Sequence, residues 1–242
     1  MLMTEARSLS YIGVAYRKIP KAHYKALSRH LVKKGDRLGL SSWSGTAFEY
    51  FMPSLFMPTP RGSLLYEALR FAFWAQRKAA VNTSVGAVWG ISESGHATFD
   101  DEYNYQYKAF GVPLLARQKR MHKAPVLSAY SSFLMLCMNI TLPLQNLEKL
   151  KALGAYGEYG FYEAVDFSKK PSGEPSIVKS YMAHHVGMSL LALDNALLEE
   201  IVCKRFFAEP AMYCARSLLE EKIPVDAVVR PDERKGYWRK IR

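Results

Sequence analysis

The sequence predicts an all-α chain of stacked helical hairpins. Two observations carry this. Apolar residues recur at three- and four-residue spacing through most of the chain, and period-two alternation is scarce. A third is the rhythm of the connections, alternately short and long, which suits antiparallel helix pairs.

Taken in order, residues 4–17 predict a modest helix with Leu9, Ile12 and Tyr16 on one face. Pro20 opens a second, basic helix to about Lys34, broken by Gly35 and Asp36. Residues 41–46 are a Ser/Trp/Gly loop, leading into an apolar helix from Ala47 to Pro53 or Pro58. The clearest helix is 62–80, started by Gly62-Ser63 and carrying Leu65, Leu69, Ala72, Phe73 and Gln76 at helical spacing. Residues 81–101 predict a loop with a short extended piece, and 103–108 are ambiguous between strand and loop. Helices follow at about 125–138 and 143–153, then a long loop over 154–178. A helix of more than twenty residues is expected from Ser180 to Cys203, and a last one at 209–222, ended by Pro224. The division expected is one domain over 1–224, with its motif-bearing core at 41–190, and a basic tail over 225–242.

The chain has 242 residues, of which 49% are hydrophobic and 13% aromatic, enough to bury a core and to exclude a disordered chain. Its net charge of +11 raises the question of nucleic acid. The excess sits mostly at the ends, in Arg17 to Arg37 and in Arg230 to Arg242, while the centre is balanced. Clustered Lys and Arg without a recognition motif describe a solvated face, so no nucleic-acid partner is expected. Cys137, Cys203 and Cys214 have no metal-type spacing; the first two lie in apolar runs and read as buried thiols in a reducing compartment. No signal peptide is visible, and no apolar run reaches the roughly 18 residues a membrane span needs. The chain reads as cytoplasmic, or as membrane-associated through a larger parent protein.

Three short segments pair aromatic residues and glycine with a carboxylate: Ser42 to Tyr50 around Glu49, Trp89 to Gly95 around Glu93, and Tyr159 to Ala164 around Glu163. Aromatic faces with polar edges suit a hydroxyl-rich ligand, glycine lets backbone approach it, and paired carboxyl groups cleave glycosidic bonds. Candidate sugar platforms are Trp43, Trp89, Tyr105, Tyr107, Tyr159, Phe161 and Tyr162, with Gln106 and Lys108 as hydrogen-bonding partners. Core packing is the competing reading for about half of these aromatics. His184 and His185 are adjacent, so on a helix their side chains diverge by about 100° and do not converge on one ion. No metal and no cofactor is expected. One of the two histidines is expected at the cleft and the other in the core.

These blocks, together with Tyr105 to Pro113 and Ser180-Tyr181-Met182-Ala183-His184-His185-Val186-Gly187-Met188-Ser189, resemble the glycoamylase-like domain of cyclic β-1,2-glucan synthases and of stand-alone endo-β-1,2-glucanases. The resemblance implies an (α/α)6 toroid with the sugar cleft where the long loops gather. It also implies action on linear β-1,2-glucan, by hydrolysis or by cyclising transglycosylation. Twelve helices of about a dozen residues need well over 200 residues before functional loops are added, whereas the periodicity supports seven or eight. The expectation is therefore a toroid incomplete on its N-terminal side, with the missing segments of a larger synthase as a partner. The alternative to an enzyme is a truncated, non-catalytic glucan-binding fragment of such a synthase.

The expected catalytic pair is Glu163 and Glu93, with Glu163 as general acid and Glu93 orienting water or acting as base. The expected substrate-binding residues are Trp43, Glu49, Trp89, Tyr105, Gln106, Tyr107, Lys108, Tyr162, His184 and His185. For Glu49 a structural role competes, since Phe48-Glu49-Tyr50 falls at a helix start.

Overall fold

The structure is a computed structural model and describes residues 1–118, 125–168 and 175–222. The basic tail 225–242 and Pro224 lie outside the described residues.

Helix α1 (Ala6–Ala15) and α2 (Lys21–Ala26) open the chain. The expected basic helix stops at Ala26. Leu31–Lys34 (β1) and Arg37–Leu40 (β2) instead form an antiparallel hairpin turned at Gly35, whose φ of 58° suits glycine. The hairpin lies against α4 (Leu64–Lys78), where a side chain at Gly39 would overlap the Phe71 ring. Ser63 caps α4 by accepting from the Tyr66 N–H, as its position before the apolar run predicts. Between hairpin and α4 lies α3 (Ala47–Phe51), followed by a 3-10 turn over Met52–Leu55.

The middle of the chain is where the all-α expectation, and the toroid built on it, is overturned. The described residues carry eleven short strands in five small antiparallel sheets. Val81–Thr83 (β3) pairs with Gly86–Val88 (β4), and Glu93–Phe99 (β5) pairs with Tyr105–Ala109 (β6). Val126–Leu127 (β7), Ala164–Asp166 (β10) and Ser176–Val178 (β11) form a three-stranded sheet in the order β11-β10-β7. Tyr156–Gly157 (β8) and Gly160–Phe161 (β9) make a minimal hairpin inside the expected long loop. The fold is mixed helix and strand.

The physical reason is local. Most of these strands have two to five residues, too few to show a period. The longest, Glu-Ser-Gly-His-Ala-Thr-Phe, is buried through its middle on both faces and built from small residues, so it neither alternates nor favours β structure.

The remaining helices are α5 (Ala129–Leu134), with a 3-10 turn over Met135–Cys137, then α6 (Thr141–Ala152), α7 (Ala183–Leu197), α8 (Ile201–Ala208) and α9 (Pro210–Cys214). The single helix expected from Ser180 to Cys203 is broken at Glu199 and Glu200, which adopt left-handed φ of 52° and 61°. One hydrophobic core joins these elements, from Tyr11 and Tyr50 to Leu127, Leu150 and Val178. Cys203 is buried as expected, while Cys137 is exposed. Among the described residues no helix is long and apolar enough to cross a membrane.

Candidate active site

The first segment is a loop closed by its own carboxylate. Thr46 caps α3 by accepting from the Glu49 N–H at 3.1 Å, and Glu49 reaches back to the Thr46 N–H at 3.2 Å, a capping box. The same carboxylate accepts from Ser42 Oγ at 2.6 Å, from the Ser44 N–H at 3.1 Å and from the Gly45 N–H at 2.8 Å. With so many donors converging on it, buried Glu49 holds the loop in shape. Arg7, itself buried, fastens the helix from behind by donating to the carbonyls of Glu49 and Tyr50 at 3.1 and 2.7 Å. Burial lowers the Arg7 guanidinium to about 10. The loop packs so tightly against residues 110–116 that a Cβ at Gly111 would overlap the Ser44 carbonyl. Trp43, in the same loop, is 57% exposed.

The second segment is an extended strip pinned by side-chain amides. Gln76 of α4 donates to the Ile91 carbonyl at 2.8 Å and accepts from its N–H at 2.9 Å. Asn146 of α6 does the same for Trp89, at 2.9 and 3.1 Å. Each amide replaces a neighbouring strand for one peptide, which satisfies buried backbone groups without a sheet. Trp89 is buried, with its ring edge-on to Phe73. Glu93 follows at the start of β5, half-buried. Its carboxyl is pushed up from 4.5 to about 7, first by burial and then by the charge of Glu49, against the opposing hydrogen bond of Thr46.

The third segment delivers Glu163, which is 4% exposed. Its Oε1 accepts the Gly95 N–H at 3.0 Å, and His185 Nδ1 lies 3.0 and 2.9 Å from its two oxygens. A carboxylate only accepts, so Nδ1 carries the hydrogen and Nε2 faces the Tyr107 hydroxyl at 3.5 Å. Gly95 permits this approach, since a Cβ there would lie 3.3 Å from Glu163 Cγ. His185 also stacks face to face on Tyr130, with ring centroids 3.7 Å apart and planes 12° from parallel. A small cavity of about 30 Å³ lies beside Glu163, with Tyr130, Tyr162, Tyr181 and His185 in its wall.

The β5–β6 pairing divides the other predicted residues. Glu93, Gly95 and Tyr107 fall on one face, because Gly95 pairs with Tyr107 and Glu93 with Ala109. Gln106 and Lys108 fall on the opposite face, and Gln106 contacts Asp100 at 3.3 Å. Tyr107 is 41% exposed, and burial with the charges of Glu93 and Glu163 raises its phenol. Tyr105 packs on Phe99, and Tyr162 on Tyr181. His184 is exposed, its pKa lowered by burial and by neighbouring His185. The structure thus gathers Glu93, Glu163, Tyr107 and His185, with Glu49 behind them. Among the described residues no group of three or more His, Cys, Asp and Glu could hold a metal ion.

One participant, Tyr130, escapes the sequence reading; Asp166, three residues after Glu163, is a second candidate carboxylate in it. Tyr130 bonds the Trp89 to Gly95 segment and is linked to the other two through Ser92 and His185, and Asp166, buried, accepts the N–H groups of Ala97 and Ser168 at 2.8 and 2.7 Å to hold β5 against β10. A signal for Tyr130 exists: Ser128, Ser131 and Ser132 surround it in an apolar stretch, and buried hydroxyls demand polar partners.

Two acidic side chains, Glu93 and Glu163, thus sit in different environments, framed by aromatic residues. Residues 2–210 match the glycoamylase family, described as "Putative glucoamylase", and the chain belongs to that family. It is 36% identical over 237 residues to the cyclic beta-(1,2)-glucan synthase NdvB of Rhizobium meliloti (strain 1021), a match covering 97% of this chain and 8% of that protein. The chain therefore spans a small part of that relative's length. Its fold resembles the crystal structure of a putative glucoamylase from Bacteroides caccae ATCC 43185, with a TM-score of 0.61 and 17% identity over 84% of this chain and 50% of the other. The family is glucan-related, of glycosidase and transferase type.

Proposed function

We propose that this chain is a domain that cleaves or transfers β-1,2-glucan chains with the carboxyl groups of Glu93 and Glu163. The observation that carries the reading is Glu93, a half-buried carboxyl that holds its proton to about pH 7 on the same face as exposed Tyr107. Such a group can protonate a departing sugar oxygen near neutral pH.

The sequence reading put the proton donor on Glu163. Burial around Glu93 favours the opposite division of labour. Glu163, fixed by His185 and the Gly95 N–H, is suited to hold an attacking water or sugar hydroxyl as a base. The adjoining cavity of about 30 Å³ has room for one water. Water there gives hydrolysis; a hydroxyl from the chain's own far end gives a ring. The β-1,2 linkage rests on the glucan synthase relative.

Sugar contacts are assigned to Tyr107, Tyr162 and Trp43, and the functional unit to residues 1–224. A second reading, a glucan-binding piece without turnover, is favoured by the small share of the synthase that the chain spans. Incubation of the purified chain with linear β-1,2-glucan, followed by product separation, decides between them. New reducing ends or rings support the enzyme. Glucan retained but unchanged supports the binding piece, and indifference to glucan refutes both.

A further inference from the structure

Tyr130 lies at the start of α5, outside the three carboxylate segments; it bonds the second directly and reaches the first through Ser92 and the third through His185. Its phenol donates to the Glu93 carbonyl at 2.9 Å. The same oxygen is 2.8 Å from Ser92 Oγ, which accepts the Phe48 N–H at 2.9 Å, at the first turn of the helix that carries Glu49. Its ring stacks on His185, the partner of Glu163. Tyr130 is 4% exposed, so its hydroxyl is committed to these contacts rather than to solvent.

We propose that Tyr130 is a positioning residue that keeps the three carboxylate segments in register, its phenol fixing the Glu93 and Glu49 segments and its face fixing the His185–Glu163 pair. The role is indirect, since the imidazole covers one face of the ring and the hydroxyl is committed to Ser92 and Glu93. Among the described residues no single sheet runs through all three segments; an isolated Ile91–Leu127 bridge and the Ala47 N–H to Ile91 carbonyl bond are their backbone links. A planar residue with a hydrogen-bonding edge and a stacking face couples them in a way that an aliphatic residue cannot. For catalysis this inference rests on the reading of Glu93 and Glu163 as the working pair; the geometric coupling itself does not.

Two variants separate the edge from the face. Tyr130→Phe keeps the stack and removes the hydroxyl; Tyr130→Leu removes both. Carbon-13 carboxyl NMR follows the titration of Glu93, and the His185 ring protons report stacking through the ring current of Tyr130. In Tyr130→Phe the His185 ring resonances stay upfield, while the Glu93 midpoint moves by more than about 0.5 pH. Turnover of linear β-1,2-glucan falls about 10- to 100-fold in kcat with KM within about twofold, as expected when reacting groups lose alignment. In Tyr130→Leu the His185 signals also lose their upfield position. A Tyr130→Phe protein with the wild-type Glu93 titration and the wild-type pH profile overturns the proposal and leaves Tyr130 as ordinary packing. If the wild type does not turn over glucan, the functional reading fails, and the Glu93 titration still decides the role of Tyr130. If Tyr130→Leu does not fold, Tyr130→Phe decides alone.

Discussion

Glu93→Gln tests the division of labour without presupposing a substrate. The neutral amide imitates protonated Glu93, so the two proteins should be alike where the carboxyl keeps its proton and differ where it loses it. The folded-state value is about 7 against an ordinary 4.5, so the folded chain binds this proton more tightly than the unfolded one. Stability from that preference is complete below about pH 4.5 and is lost as pH rises through about 7. The full difference corresponds to roughly 3 kcal/mol at 1.36 kcal/mol per pH. The side chain is only half-buried, and solvent screening reduces this to about 1–2 kcal/mol. Urea unfolding at pH 5, 7 and 8.5 should therefore show Glu93→Gln overtaking the wild type by about 1–2 kcal/mol at the alkaline end, with little difference at the acid end. In glucan turnover the same variant should lose about 100- to 10,000-fold in kcat, the usual worth of a placed proton donor. A stability difference that does not change with pH refutes the elevated Glu93 carboxyl. Turnover within tenfold of wild type refutes its role as donor.

Glu163→Gln keeps an oxygen for the Gly95 N–H and should fold with a loss of about 1–2 kcal/mol while turnover disappears. Glu163→Ala leaves both that N–H and His185 Nδ1 without an acceptor and should cost about 3–5 kcal/mol in urea unfolding; equal stability of the two variants would contradict the network described. Gly111→Ala places a methyl on the Ser44 carbonyl, and since backbone must yield, a loss of about 3 kcal/mol is expected. In a thermal melt this is a fall of about 6–10 °C, and an unchanged midpoint would show that the 41–46 loop is not clamped there.

Much of the site was legible in the sequence because its residues cluster locally. Glu49, Glu93 and Glu163 each sit among aromatic residues and glycine, and that mixture is a poor core and a good ligand surface. The Glu49 capping box could be read from Thr-x-x-Glu before an apolar run, which fits the structural role that competed for it. Less legible were the strands. The Trp89 and Ile91 peptides are partnered by Asn146 and Gln76, residues of helices, and no pattern within 81–101 reports such a partner.

By itself the sequence determined the family, the three carboxylate segments, and the helices whose apolar faces repeat at helical spacing, above all Leu64–Lys78. These are properties of neighbouring residues, and short-range sterics and burial suffice for them. Only the tertiary structure decided that the chain is mixed rather than all-α, that Glu163 pairs with His185, and that burial elevates the Glu93 carboxyl. Proton affinity depends on desolvation and on charges brought close by folding, and strand pairing depends on partners far along the chain.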